Sequence, residues 1–151
     1  MFPFKKILCP TDFSEASLVA LRAANEMAVK YASRIVVIHA LKPVPSLPAP
    51  RQPGTEMDFD VSAYEAQVAE EARRNLARVV DAEFDDAPGV KLVVRTGRRA
   101  AYEILAAAEE EKVDVIYIAS RGHTEIHDLI FGSVARRVVR HARCPVLIMR
   151  D

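Results

Sequence analysis

The chain has 151 residues, of which 50% are hydrophobic and 28% charged. That is an ordinary globular composition, long enough for one domain with a real core and too apolar for a disordered chain. The 21 basic and 21 acidic residues cancel, so there is no global basic field for nucleic acid, no acidic coat for basic partners, and little repulsion between subunits. The opening MFPFKKILCP lacks the long apolar core of a signal peptide, and no apolar run approaches a membrane span. The expectation is a cytoplasmic protein with no membrane attachment. Cys9 and Cys144 stand in or beside predicted strands and read as two buried thiols in reducing surroundings.

Ile7-Leu8-Cys9 reads as a short buried strand that Pro10-Thr11-Asp12 ends. Ser14 suits the N-cap of the following helix and Glu15 its first turn. Residues 15–31 are alanine-rich, with one apolar face through Ala20, Leu21, Ala24, Met27, Ala28 and Tyr31. Ile35–Ile38 is a second strand, followed by His39-Ala40. Residues 42–57 hold five prolines and one glycine. They predict a long extended loop, a functional flap or a tolerated insertion.

Helical spacing returns from about Asp58 to Asp85, through Val61, Tyr64, Val68, Ala72, Leu76 and Val79. Ala87-Pro88-Gly89 stops it. Val90–Val94 is a third strand, with Lys91 and Arg95 marking a sheet edge. Ala101, Ile104, Leu105 and Ala108 mark a third helix that ends in the charge run Glu109–Lys112, read as solvated surface. Val113–Ala119 is a fourth buried strand. After a polar loop, Gly132-Ser133 opens a helix with Val134, Val138 and Ala142 on one side, and Val146–Met149 is the last strand. Five strands alternating with four helices mean a parallel sheet covered on both faces. Ligands in such sheets bind beyond the C-terminal strand ends.

The junction after the fourth strand holds the chemistry. Glycines and a hydroxyl where a loop meets a helix offer backbone N–H groups and the positive helix end to a phosphate. Taken singly, Gly122, Gly132 and Ser133 are equally well turn glycines and a cap. There is no GxxxxGK(S/T) and no GxGxxG, and no Ser-His-Asp, Cys-His or zinc spacing. His123 and His127 read as surface histidines. Arg136, Arg137, Arg140 and Arg143 make the last helix basic, but no aromatic residues interleave with them, so nucleic acid is not expected.

Together these stretches resemble the universal stress proteins, whose nucleotide-binding branch carries Gly, two residues, Gly, nine residues, Gly, then Ser or Thr. Here that frame reads Ala119, Ser120-Arg121, Gly122, His123–Phe131, Gly132, Ser133. The opening Lys6–Ser14 and the ending Val138–Leu147 are similar to the family's first strand and its usual close. The resemblance implies a Rossmann-like, adenine nucleotide alpha hydrolase-like α/β fold with five parallel strands in the order 3-2-1-4-5. It implies a homodimer through the last strand, Val146–Met149, which would otherwise expose an apolar edge.

It also implies ATP, with Mg²⁺ as a possible companion, bound by three convergent stretches. These are Pro10, Thr11 and Asp12; His39 and Ala40, where backbone reads adenine; and Ala119, Ser120, Arg121, Gly122 and His123 with Gly132, Ser133 and Val134. Asp12 is placed near the ribose, where its alternative is an Asx-turn. The His39 side chain reads as structural. Two positions depart from the family frame. Ala119 replaces a glycine, which obstructs only where φ is positive. Glu125, with Asp128, brings negative charge towards a triphosphate. The expected function is a nucleotide-binding regulatory module with an unknown protein partner. The alternatives are a nucleotide-independent member of the family acting through protein contacts and a slow ATP hydrolase.

Overall fold

A computed structural model describes residues 3–44, 60–84, 89–121 and 131–150. Its elements, in chain order, are β1 (Lys6–Pro10), α1 (Glu15–Tyr31), β2 (Arg34–Leu41), α2 (Val61–Glu83), β3 (Val90–Thr96), α3 (Ala100–Glu110), β4 (Val115–Ala119), α4 (Ser133–His141) and β5 (Val146–Met149). All ladders are parallel and the strand order is β3-β2-β1-β4-β5. This is the Rossmann-like architecture expected from the alternation. Most of the proline-rich loop, from residue 45 on, lies outside the described residues.

The strands bury both faces, as parallel strands under helices must. Ile7, Cys9, Ile35, Val37, Val115 and Tyr117 turn to one side and meet Ala20, Leu21, Ala24 and Ala28 of α1 and Leu76 and Val80 of α2. Leu8, Val36, Ile38, Ile116 and Ile118 turn to the other and meet α3 and α4 through Ala101, Ile104, Ala107, Ala135 and Val138. The strict alternation follows from the two-residue period of the strand. The alanines of α1 let its backbone lie close to the sheet.

Two strands outrun their apolar cores. β2 continues through His39 and Ala40 to Leu41, and β3 continues to Thr96, because the backbone ladder persists to Leu41↔Thr96. His39 and Ala40 therefore belong to the C-terminal end of β2. In the Glu109–Lys112 run, Glu109, Glu110 and Lys112 are exposed, as expected of a solvated surface, and Glu111 is half-buried. The run also carries ion pairs: Glu111 holds Lys6 at 2.7 Å and Lys91 at 2.5 Å, Glu110 pairs with Arg95, and Glu109 pairs with Arg143. These pairs join the end of α3 to β1, β3 and the residues after α4.

Both cysteines are free thiols, Cys9 buried and Cys144 half-buried. No helix among the described residues is long and apolar enough to cross a membrane.

Candidate functional site

β1 and β2 stay paired to Pro10↔Ile38. The ladder between β1 and β4, by contrast, ends at Leu8↔Ile116, although β1 runs on to Pro10 and β4 to Ala119. The two central strands part at their C-terminal ends, where the chain order reverses. A cleft of about 190 Å³ opens there, at the strand ends where ligands bind in sheets of this kind.

Its floor and one wall come from Pro10, Thr11, Asp12 and Ala40. The opposite wall comes from Ala119, Ser120 and Arg121 with Gly132, Ser133 and Val134. The three stretches expected to converge do so. His39 does not line the cleft, and Gly122 and His123, with Glu125 and Asp128, lie outside the described residues. The remaining lining, which includes Ser17, Ile38, Ala100 and Ile104, was not anticipated. These are apolar or small helix and strand residues. Only their place in the tertiary structure distinguishes them from ordinary core.

Behind Thr11 and Asp12 is a closed set of hydrogen bonds. Thr11 is 5% exposed, and its N–H donates to the Ile38 carbonyl at 2.9 Å. Its Oγ1 lies 2.9 Å from Ser17 Oγ and accepts the Phe13 N–H at 3.0 Å. Ser17 Oγ donates to the Ser14 carbonyl at 2.8 Å. The Asp12 carboxylate accepts from the Ser14 N–H at 3.1 Å and from its hydroxyl at 2.5 Å. Ser14 in turn caps α1 by accepting the Ser17 N–H. Asp12 thus makes the Asx-type turn weighed from sequence, and it does so while facing the cleft. Phe13 pays for the turn with a left-handed backbone, φ 65°, which costs on the order of 1 kcal/mol for a non-glycine residue.

The other wall is different in kind. α4 begins at Ser133 with Gly132 as N-cap, and no side chain caps it. The N–H of Gly132 is itself consumed, donating to the Ser120 carbonyl at 2.7 Å. The orphan donors of the first turn are therefore those of Ser133, Val134 and Ala135, all three residues of the cleft lining. Arg121 Nε is buried with no hydrogen-bond partner among the described residues. The uncapped start of α4 and Arg121 both belong to the cleft lining. That is an anion-accepting arrangement.

Ala119 lies in β4 with ordinary extended backbone; the only non-glycine residues with positive φ among those described are Phe13, Ala32 and Lys112. Its methyl packs into the core under α1, so the substitution for glycine does not obstruct the backbone here. No cluster of three or more His, Cys, Asp or Glu side chains suited to a metal occurs among the described residues. On the outer surface of α3 and α4, Arg99 and Arg137 both stand 5.6 Å from the exposed Tyr102 ring. The basic face of α4 therefore does carry an aromatic neighbour, which its own sequence did not reveal.

Residues 3–150 match the universal stress protein family. Universal stress protein MJ0531 of Methanocaldococcus jannaschii is 30% identical over 148 residues, covering 97% of this chain and 82% of the relative. Among solved structures, hypothetical protein MJ0577 aligns with a TM-score of 0.78 at 27% identity, over 97% of this chain and 96% of that one. A universal stress protein from Archaeoglobus fulgidus in complex with dAMP shares the fold, with a TM-score of 0.61 at 23% identity over 98% of both chains. The family match over residues 3–150, nearly the whole chain, makes this chain a member of the universal stress protein family.

Proposed function

We propose that this protein is an adenine-nucleotide-binding regulatory module, with ATP as the ligand and Mg²⁺ as its companion on the phosphates. The observation that carries the reading is one cleft lined both by the uncapped N-terminus of α4 and by Arg121, whose buried Nε has no hydrogen-bond partner among the described residues. Phosphates placed there would satisfy backbone donors that nothing among the described residues satisfies. The nucleoside would then lie towards Asp12 and Ala40, across the gap between β1 and β4. The dAMP complex of the Archaeoglobus fulgidus relative supports an adenine nucleotide as the ligand class.

The test is calorimetric titration of nucleotide-stripped protein with ATP, with and without Mg²⁺. Micromolar affinity, about −8 kcal/mol, is expected. No heat from folded protein would overturn the reading.

The regulatory unit is a homodimer. β5 lies at the sheet edge, and its residues Val146–Met149 are only half-buried. An apolar edge strand of this kind is covered by pairing with its copy. Sedimentation should give a dimer, and Ile148→Lys should give a folded monomer. A wild-type monomer at micromolar concentration would remove the dimer from the proposal. Ligand occupancy would then be read by a partner protein at the surface around the cleft.

A further inference from the structure

The His39 side chain is outside the cleft yet touches the segment that forms its wall. Its Nδ1 lies 2.8 Å from the Thr11 carbonyl. A carbonyl oxygen only accepts, so Nδ1 carries the proton. The His39 ring also packs on Phe13, with centroids 4.3 Å apart and planes inclined by 34°. Phe13 is the residue held at φ 65°. Between Thr11 and Phe13 stands Asp12, a residue of the cleft lining whose carboxylate also holds Ser14.

The two contacts of His39 therefore bracket Asp12 in sequence. One grips the residue before it through the backbone, and the other grips the residue after it through the ring. β2 supplies a rigid platform for this grip, because its ladder to β3 runs through His39↔Val94 and on to Leu41↔Thr96.

We propose that His39 is the positioning residue of the cleft. In this role its Nδ1–H to Thr11 and its ring against Phe13 hold the left-handed turn and so fix the direction of the Asp12 carboxylate. A left-handed phenylalanine persists only where surroundings over-determine it. Without the imidazole, the turn keeps the short-range bonds from Phe13 N and Ser14 N and the Thr11 N–H to the Ile38 carbonyl, but loses the side-chain tie that holds it on both sides of Asp12. Asp12 then samples several directions. The role assigned to the carboxylate, accepting hydrogen bonds from ribose hydroxyls, rests on the nucleotide reading above; the geometry of the grip does not.

The experiment separates these two layers. In nucleotide-free wild-type protein, long-range proton–nitrogen correlation spectra should show His39 as the Nδ1–H tautomer. A neutral Nε2–H form overturns the proposal, whatever the nucleotide result. In His39→Phe, which keeps a ring and loses the donor, the amides of Phe13 and Ser14 should exchange faster than in wild type. Unchanged exchange overturns it.

ATP affinity of His39→Phe should fall about threefold to tenfold, the size of one hydrogen bond. Its preference for ATP over 3′-deoxy-ATP should fall to that of Asp12→Ala. His39→Asn, which restores a side-chain N–H near the δ position, should recover the preference. A purely packing role would keep that preference in His39→Phe, which retains a ring on Phe13, and lose it in His39→Asn, which does not; such a result overturns the proposal. If wild-type protein binds no ATP, only the nucleotide reading fails, and the tautomer and exchange results decide the positioning role.

Discussion

The backbone N–H of Gly132 donates to the Ser120 carbonyl at 2.7 Å, tying the N-cap of α4 to the residue that follows β4. Ser120 also donates its own N–H to Met149 at 2.8 Å. One buried residue thus joins β4, β5 and the start of α4 into a single corner. That corner sets the open helix turn in the same cleft lining as Asp12, which follows β1. It also means that Gly132 contributes no donor to a ligand, and that its value to the cleft is its missing side chain.

Gly132 has φ −63°, so its backbone does not require glycine. A Cβ would meet Ser120 O at 3.5 Å and Arg121 Cα at 3.6 Å, which is ordinary contact. Gly132→Ala should therefore leave stability within about 0.5 kcal/mol of wild type. Gly132→Val, which fills more of the corner, should weaken ATP about tenfold or more, or about 1.4 kcal/mol. Denaturant unfolding and calorimetric titration of the two variants check this. Full ATP affinity in the valine variant would show that phosphate does not approach this backbone.

Glu111 should make stability depend on acid. Hydrogen bonds from Lys6 and then Lys91 pull its carboxyl down to about 2 from the ordinary carboxylate range. The folded state binds a proton less readily than the unfolded state. The ion pairs therefore stabilise the fold above the unfolded carboxylate pKa, and their contribution is lost as pH falls from there through the folded value. Glu111→Gln should unfold more easily than wild type near pH 7, by about 1 kcal/mol for partly exposed pairs. The two proteins should converge as pH falls to about 2. Urea titrations across that window measure the difference.

The thiols should differ in access. Burial pushes the Cys9 thiol up strongly and the half-buried Cys144 thiol up less. A thiol-disulfide reagent at mildly alkaline pH should label Cys144 slowly in the native state. It should reach Cys9 only on unfolding, because the thiolate is the nucleophile. Cys144→Ser should abolish native-state labelling. Rapid labelling of both thiols would mean that the face of β1 under α1 opens readily.

α2 is attached to the sheet by few side chains. Its buried residues are Ala72, Leu76 and Val80, and Leu76 is fully buried. Leu76→Ala should cost about 2–5 kcal/mol, measured by equilibrium unfolding. Tyr64→Ala, on the exposed part of the same helix, should change stability by about 0.5 kcal/mol or less.

Much of this fold was legible in local pattern. The alanine-rich 15–31 face coincides with α1, capped by Ser14 as its hydroxyl suggested. The apolar run 146–149 coincides with β5. α2, expected over residues 58–85, covers Val61–Glu83 instead, because the Asp60 side chain accepts the Ala63 N–H and sets the start. The charge run at the end of α3 is mostly exposed, as its composition suggested, but its ion pairs with Lys6, Lys91, Arg95 and Arg143 were not legible, because those partners are distant in sequence.

Periodicity and turn chemistry act over a few residues, so the sequence by itself determined nine elements, their alternation and the class of sheet they form. The resemblance at both ends of the chain added the strand order and the three stretches expected to meet. Tertiary structure alone decided what depends on residues distant in sequence. It placed the Ala119 methyl in the core under α1, where its absence as glycine is not needed. It spent the Gly132 N–H on Ser120 and left Arg121 Nε buried with no hydrogen-bond partner among the described residues. It set His39 behind Asp12 rather than in the cleft. Each of these turns on where a single atom points, and that direction is set by packing between elements that local sequence does not encode.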